Sequence, residues 1–360
     1  MIIVIPGLPH AAHYMQLPRE VLIGSDVAML VGETIGRLGF HGPALVVTGD
    51  TVISIAGVKV LESLKKQGVK TETTSVQSST TEEVARVEKR IRDLDPDIIV
   101  GLGGGKDIDV AKLGSMRAGK SFVSVPTTAS HDGIASPLVS MKGLDRPYSY
   151  VAHSPIAIVA DTSIIGKSPY RLIAAGCGDV VAKYTAVRDW KLAHRIKNEY
   201  YGDYAAELAL MSSRVVMKNA SSIRAMSDSG VRTLVEALIS CGVAMSIAGT
   251  SRPCSGAEHL FSHSLTMIAP KPALHGEQCG VGTIMCAYLH GANWQLIKDF
   301  LQKIGAPTTA KELGIGPEYI LKALAIAHSI RPERYTILGE SGLTKDAALR
   351  VATITSVIEQ

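Results

Sequence analysis

The chain has 360 residues, of which 46% are hydrophobic and 19% charged, and it carries a formal charge of +4. That length exceeds one ordinary core and predicts two domains, and the balance fits a globular interior rather than a disordered chain. The positive excess is small, and its densest run, "KLAHRIK" at 191–197, has no interleaved aromatic residues. It reads as a solvated helix face and argues against a nucleic-acid partner.

The opening "MIIVIPGLPH" is apolar, but it has no basic leader and is interrupted by Pro6 and Pro9, so it does not read as a signal peptide. No later run reaches the ~18 uninterrupted apolar residues of a membrane helix. The nearest, 237–249, carries Ser and Gly throughout, and no stable membrane insertion is expected. Cys177, Cys241, Cys254, Cys279 and Cys286 are odd in number and form no C-x-x-C pair. Packing in a reduced, cytoplasmic setting is their expected role.

Through about residue 160, short β-rich runs alternate with helical segments, the pattern of a parallel sheet wrapped by helices. "EVLIG" (20–24) leads to a helix over 27–38, and "PALVVTG" (43–49) to one over 51–67. "KTETTSV" (70–76) precedes a helix opening at Thr80 or Thr81, with Glu83 placed for a capping box. "DIIVGLG" (97–103) runs into a helix over 106–118, and "SFVSV" (121–125) and "IAIVA" (156–160) complete the set. From Pro169 onward the periodicity is helical, with breaks near 228–230, 249–256 and 269–276. The boundaries predicted are 1–165 for an α/β domain and 166–360 for an all-helical one, with 161–168 as the hinge.

Three features carry chemistry. In "DIIVGLGGGKDIDVAK" a buried strand meets Gly103, Gly104 and Gly105 and passes straight into a helix. Such a turn lets backbone N–H groups approach a phosphate, although a tight turn that binds nothing has the same look. It is neither G-x-G-x-x-G nor a P-loop, because Lys106 stands where a last glycine would fall and no G-K-[ST] follows. "VPTTASHDGIAS" (125–136) follows the next strand and is expected beside the turn, beyond the carboxyl ends of the strands. There Thr127, Thr128 and Ser130 are candidate cofactor donors and Asp132 a candidate partner for substrate hydroxyls; local turn chemistry is the alternative. Asp50, closing "VVTGD", suits the ribose hydroxyls and favours NAD over NADP.

The third feature is "SGAEHLFSHSLTMIAPKPALHGEQ" (255–278), with His259, His263 and His275. His259 and His263 share a helix face, and Leu260 rules out H-E-x-x-H. A metal site needs a third protein ligand. Asp179 in "AAGCGDVVAKY" is the best candidate, read as standing in the first turn of a helix after Gly176 and Gly178; a plain N-cap is its alternative.

These motifs resemble a known group. "GGGKDIDVAK" is similar to the G-G-G-x-x-x-D-x-A-K turn of the superfamily joining iron-containing alcohol dehydrogenases, glycerol dehydrogenase and 3-dehydroquinate synthase. With "PTTASHDGIASP", "AAGCGDVVAKY", "EHLFSH" and "PALHGEQ", in order over nearly the whole chain, it resembles the archaeal sn-glycerol-1-phosphate dehydrogenases. The resemblance implies a dehydroquinate synthase-like fold, in which an α/β domain binds NAD or NADP and a helical domain follows. It also implies one divalent metal, usually zinc, in the cleft between them. It gives Asp179, His259 and His275 as metal ligands and as catalytic residues, with His263 as a further catalytic residue. Asp132, Asp179 and His263 are its substrate contacts. Gly103, Gly104, Gly105, Lys106, Asp107, Thr127, Thr128, Ala129, Ser130 and Ser136 are its cofactor contacts, to which Asp50 is added. An acidic residue is expected near Thr266 and is absent, and Glu258 and Glu277 fall outside the ligand set.

The reaction implied is reduction of dihydroxyacetone phosphate to sn-glycerol 1-phosphate, for archaeal phospholipid backbones, by a homo-oligomer. A glycerol or other alcohol dehydrogenase, a 3-dehydroquinate synthase-like lyase and a non-catalytic metal-binding protein are the competing readings. No residue is assigned to the substrate phosphate, for which Lys183 is only a candidate.

Overall fold

A computed structural model of the chain describes residues 13–141 and 149–359. The opening "MIIVIPGLPH" therefore lies outside the described residues. The chain divides into two compact units, Met1–Pro169 and Tyr170–Gln360.

The first unit is built on a six-stranded sheet, with β1 (Glu20–Gly24), β2 (Ala44–Thr48), β3 (Thr71–Ser75), β4 (Ile98–Gly103), β5 (Ser121–Pro126) and β8 (Ala157–Asp161) in the order β1-β8-β5-β4-β2-β3. All pairings are parallel. Every residue of β2, β4 and β8 is buried, which is why these segments read as continuous apolar runs rather than alternating ones. Helices α1 (Val31–Arg37), α2 (Val58–Lys66), α3 (Thr81–Leu94) and α4 (Gly105–Arg117) accompany the sheet. From β2 the chain moves outward to β3 and then returns to the other side of β2 as β4. The direction of winding thus reverses between β2 and β4, the position where open α/β sheets hold ligands. Both strands point their carboxyl ends the same way, so Asp50 and the glycine turn emerge at this reversal.

Local departures from the sequence pattern have simple causes. Residues 51–67 are not one uniform helix, because a π-helical turn at Ile53–Gly57 precedes α2. Gly57 has no side chain where Ile53 lies; a Cβ there would stand 2.6 Å from the Ile53 Cδ1. Thr80 caps α3 through the Glu83 N–H, but the Glu83 carboxylate accepts from the Gln77 N–H at 2.9 Å and pairs with Arg86, so the capping box is only half formed. The strands β6 (Leu138–Ser140) and β7 (Ser149–Val151) pair antiparallel, and at three residues each they leave no periodic trace. The start of residues 161–168 is held within the first unit. Asp161 caps a short helix at Thr162–Ile165, and its carboxylate also accepts the N–H groups of Asp26 and Ala28 at 3.2 and 3.1 Å.

The second unit is helical throughout its described residues. The chain runs through α5 (Tyr170–Val181), α6 (Lys183–Lys197), α7 (Asp203–Lys218), α8 (Asp228–Ala248), α9 (Ala257–Ile268), α10 (His275–Leu289), α11 (Trp294–Ile304), α12 (Pro317–Ile326) and α13 (Lys345–Ile354). Helix α8 is long and apolar enough to cross a membrane, but 67% of its most apolar window is buried within the fold, as in a core helix.

Candidate active site

In the first unit, the turn after β4 is shaped by its glycines. Gly103 adopts φ 151°, and a Cβ on it would lie 2.2 Å from the Asp107 Oδ2. A Cβ on Gly105 would lie 2.0 Å from the His131 Nε2. Gly104, by contrast, has only the Thr128 hydroxyl near it, at 3.6 Å from such a Cβ, and its backbone opens α4. The Asp107 carboxylate turns back and accepts the Gly104 N–H at 3.2 Å, so it shapes the turn from within. Burial raises the Asp107 carboxyl, against the pull of Lys106. The Lys106 Nζ donates to the Val76 carbonyl at 2.7 Å and lies 3.5 Å from the Asp107 Oδ1, while its side chain remains 39% exposed.

The loop expected beside this turn is there. The Thr127 N–H donates to the Gly103 carbonyl at 2.9 Å. Thr128, Ser130 and Asp132 are partly exposed, whereas Ala129 and Ser136 are buried. Ser136 turns inward, its hydroxyl donating to the Leu138 carbonyl at 3.3 Å. Asp50 is exposed and accepts from the Gln77 side chain at 2.7 Å.

One structural device in this region is not apparent from motif spacing. The Lys112 side chain is wholly buried, and its Nζ donates to the carbonyls of Gly133, Ser136 and Leu138 at 2.7, 2.8 and 2.9 Å. Asp109, one turn earlier, accepts the Ser140 N–H at 2.9 Å. The Asp and Lys of "GGGKDIDVAK" thus clamp the loop to the helix of the glycine turn. Burial brings Lys112 down to about 8, opposed by Asp109 and Asp132, and the same burial, aided by Lys112, brings His153 to about 4. Removing the ammonium orphans three carbonyls and leaves Asp109 without its cation. Lys112→Ala is expected to cost about 3–5 kcal/mol, read as a lowered unfolding midpoint in denaturant.

In the second unit, Asp179, His259, His275 and Cys279 offer donor atoms that all lie within 4.8 Å of one another. Asp179 stands in the last turn of α5, not the first turn of a helix as its glycines suggest, because Gly176 and Gly178 lie inside α5. They serve packing. A Cβ on Gly178 would lie 2.2 Å from the Gly276 carbonyl oxygen, and one on Gly276 would lie 1.9 Å from that of Ala175. Backbone therefore meets backbone where α5 crosses the start of α10, and this brings Asp179 to His275. Their nearest atoms, Asp179 Oδ1 and His275 Nε2, are 4.0 Å apart, and His259 Nε2 is 3.4 Å from the same oxygen.

Each imidazole is oriented from behind. His259 Nδ1 is 2.8 Å from the Glu258 Oε1, and that buried carboxylate also accepts the Gly256 N–H at 2.6 Å and the Thr185 hydroxyl at 2.7 Å. His275 Nδ1 is 3.1 Å from the Ser262 hydroxyl, which the Gln278 amide holds at 3.2 Å. Gln278 also donates to Thr266 at 3.2 Å, so a hydroxyl occupies the place where an acid is expected. With Nδ1 engaged on both rings, the Nε2 lone pairs face Asp179, the arrangement of ligating histidines. Glu277, also buried, accepts the Leu274 N–H at 3.0 Å and pairs with Arg171 at 2.6 Å, which fixes the start of α10.

The electrostatics match a cation site. Burial raises Asp179, but Lys183, at 3.1 Å, and the two histidines outweigh it and hold its carboxyl well below the usual range. Lys183 is fully buried in this contact, which removes it as an open phosphate cradle. Burial lowers His259, yet Cys279, Asp179 and Glu258 lift it well above its ordinary value, while burial and the neighbouring histidines hold His263 well below. His263 lies outside the ligand group, its ring 5.8 Å from that of His275. The His275 side chain is 40% exposed and forms the accessible side of the group. A divalent metal fits here: an anionic donor and two oriented imidazoles, which would release their protons as an ion arrives, suit zinc and its neighbours. Cys279 was readable as a donor only from its spacing, one helical turn after His275.

The parallel sheet with its glycine turn and the helical unit with its compact Asp/His/Cys group give the fold shared by solved dehydrogenases and reductases. The family model described as iron-containing alcohol dehydrogenase matches residues 22–169. Among solved structures, the chain is similar to glycerol dehydrogenase from Schizosaccharomyces pombe, with TM-score 0.79 and 21% identity over 96% of this chain and 91% of that one. It is also similar to sulfoacetaldehyde reductase from Bifidobacterium kashiwanohense in complex with NAD+, with TM-score 0.77 and 16% identity over 97% of this chain and 100% of that one. A glycerol-1-phosphate dehydrogenase [NAD(P)+] from Pyrococcus furiosus is 56% identical over 96% of this chain and its own full length. That from Methanosarcina barkeri is 54% identical over 97% of this chain and 98% of its own. The chain belongs to the glycerol-1-phosphate dehydrogenase family of oxidoreductases.

Proposed function

We propose that this chain interconverts dihydroxyacetone phosphate and sn-glycerol 1-phosphate with NAD or NADP, supplying the backbone of archaeal phospholipids. The observation that carries the reading is the near-full-length identity of 52–56% to relatives bearing that name, over a chain that keeps a compact Asp/His donor group.

When bound, the nicotinamide would supply or take the hydride, and a divalent metal, zinc by preference, would supply Lewis-acid stabilisation of charge on the substrate oxygen. Asp179, His259 and His275 would hold that metal, with Glu258 and Ser262 fixing the two imidazoles. His263, held neutral, is suited to share a hydrogen bond with a substrate hydroxyl, and Asp132 to accept one. The backbone of Gly103, Gly104, Gly105 and Lys106 would receive the pyrophosphate at the start of α4. Thr127, Thr128, Ala129 and Ser130 would border it, while Asp107 and Ser136 act by shaping turn and loop. Asp50 favours the ribose hydroxyls of NAD, whereas the relatives' printed name covers both cofactors. The five buried free thiols suit the cytoplasmic setting of the proposal, and a homo-oligomer is part of it.

The test is a spectrophotometric assay with dihydroxyacetone phosphate and NADH, followed by chiral analysis of the product. Oxidation of the cofactor with formation of the sn-1 phosphate is expected. An sn-3 product, or none, would overturn the reading. Glycerol assayed beside it separates the glycerol dehydrogenase alternative, and net NADH oxidation excludes a lyase that only recycles its cofactor.

A further inference from the structure

We infer that the Lys106 ammonium admits NADP beside NAD, by pairing with the 2′-phosphate of the adenosine ribose opposite Asp50. The inference rests on the nicotinamide reading above and names the residue that sets its breadth. Lys106 belongs to the glycine turn after β4, yet its side chain crosses the end of β2 and reaches that of β3. Its Nζ lies over Gly49, where a Cβ would stand 3.6 Å away, and donates to the Val76 carbonyl at 2.7 Å. Asp50 follows Gly49, and its carboxylate accepts from the side chain of Gln77, the residue after Val76, at 2.7 Å. A cation and an anion thus flank the same two strand ends. The Lys106 side chain is partly exposed there and Asp50 is exposed.

In parallel α/β sheets an acid beyond a strand end bonds the ribose hydroxyls and repels a 2′-phosphate, and a nearby cation accommodates that phosphate. Asp50 by itself would disfavour NADP, and a lysine in this place offsets it. The ammonium has capacity left for a ligand. The Val76 carbonyl takes one of its three N–H groups, and the Asp107 Oδ1, at 3.5 Å, is longer than a close ion pair. Arg86, another cation at this edge, is already committed to Glu83 at 2.8 Å and to the Thr74 hydroxyl at 3.2 Å. A contact from Lys106 to the pyrophosphate would serve both dinucleotides alike, because both carry it, so the two roles separate by experiment.

The test is fluorescence titration of the full chain, supplied with Zn²⁺, with NADH and separately with NADPH. The two share a nicotinamide signal and differ in the 2′-phosphate. Lys106→Met keeps most of the side-chain length and removes the charge. It is expected to raise the ratio of the NADPH Kd to the NADH Kd by about tenfold or more, the worth of one charge-assisted hydrogen bond. Lys106→Arg keeps the cation and should hold that ratio within about threefold of the unaltered protein, which separates loss of charge from disturbed folding. An equal rise in both constants would assign the ammonium to the pyrophosphate and overturn the inference. It is also overturned if Lys106→Met leaves the ratio unchanged, if Lys106→Arg loses NADPH as Lys106→Met does, or if the unaltered chain takes NADH but not NADPH. In each of those cases NADH binding by the unaltered chain leaves the proposed activity standing. An unaltered chain that binds neither dinucleotide sinks both.

Discussion

His259→Ala protein is expected to fold, to purify without stoichiometric metal, and to lose activity on the order of a thousandfold or more. Several kcal/mol of transition-state charge stabilisation depend on the metal, and each 1.4 kcal/mol is about a factor of ten. The fold should survive because the groups around His259 keep other partners. Asp179 retains Lys183 at 3.1 Å, and Glu258 retains the Gly256 N–H and the Thr185 hydroxyl. Metal content by mass spectrometry, far-ultraviolet circular dichroism and turnover should be read on the same preparation. A metal-free variant with full activity would sink the assignment.

The second large effect is expected from a single methyl group. Gly276→Ala places a Cβ 1.9 Å from the Ala175 carbonyl oxygen, and Gly178→Ala places one 2.2 Å from that of Gly276. Neither obstacle is a side chain that can rotate away, so α5 and α10 must separate. Overpacking of this kind costs about 1–3 kcal/mol or more, and the separation acts directly on the distance between Asp179 and His275. Both substitutions should lower the thermal midpoint and metal content together. Gly36→Ala, a helical position with nothing within 4 Å of the added Cβ, is the control and should be neutral or slightly stabilising. Retention of metal by Gly276→Ala would show that the donor group does not depend on this crossing.

The sheet was legible because its strands are buried on both faces and so stand out as apolar runs between helices. The helical second unit was legible from periodicity, with breaks near 249–256 and 269–276 that match the spaces between α8, α9 and α10. Asp179, His259 and His275 could be picked out by residue type, since three donors in short motifs are few enough to consider together. Their supports could not. Glu258 and Ser262 act through geometry behind a ring, Gln278 through Ser262, and Gly178 through the backbone of another helix. None of these leaves a spacing rule in one chain. Asp179 was placed in the wrong turn because paired glycines usually end a helix, and here they thin one for close packing. Lys112 was hidden for a similar reason: a lysine on a helix normally signals solvent, and this one is surrounded by carbonyls.

The three proposed ligands, Asp179, His259 and His275, come from three helices of the second unit, α5, α9 and α10. An ion held there would act as a cross-link among segments about eighty to a hundred residues apart in sequence. By mass action its binding free energy would add to the stability of the folded state. The thermal midpoint of the helical unit is expected to rise with the free metal around it.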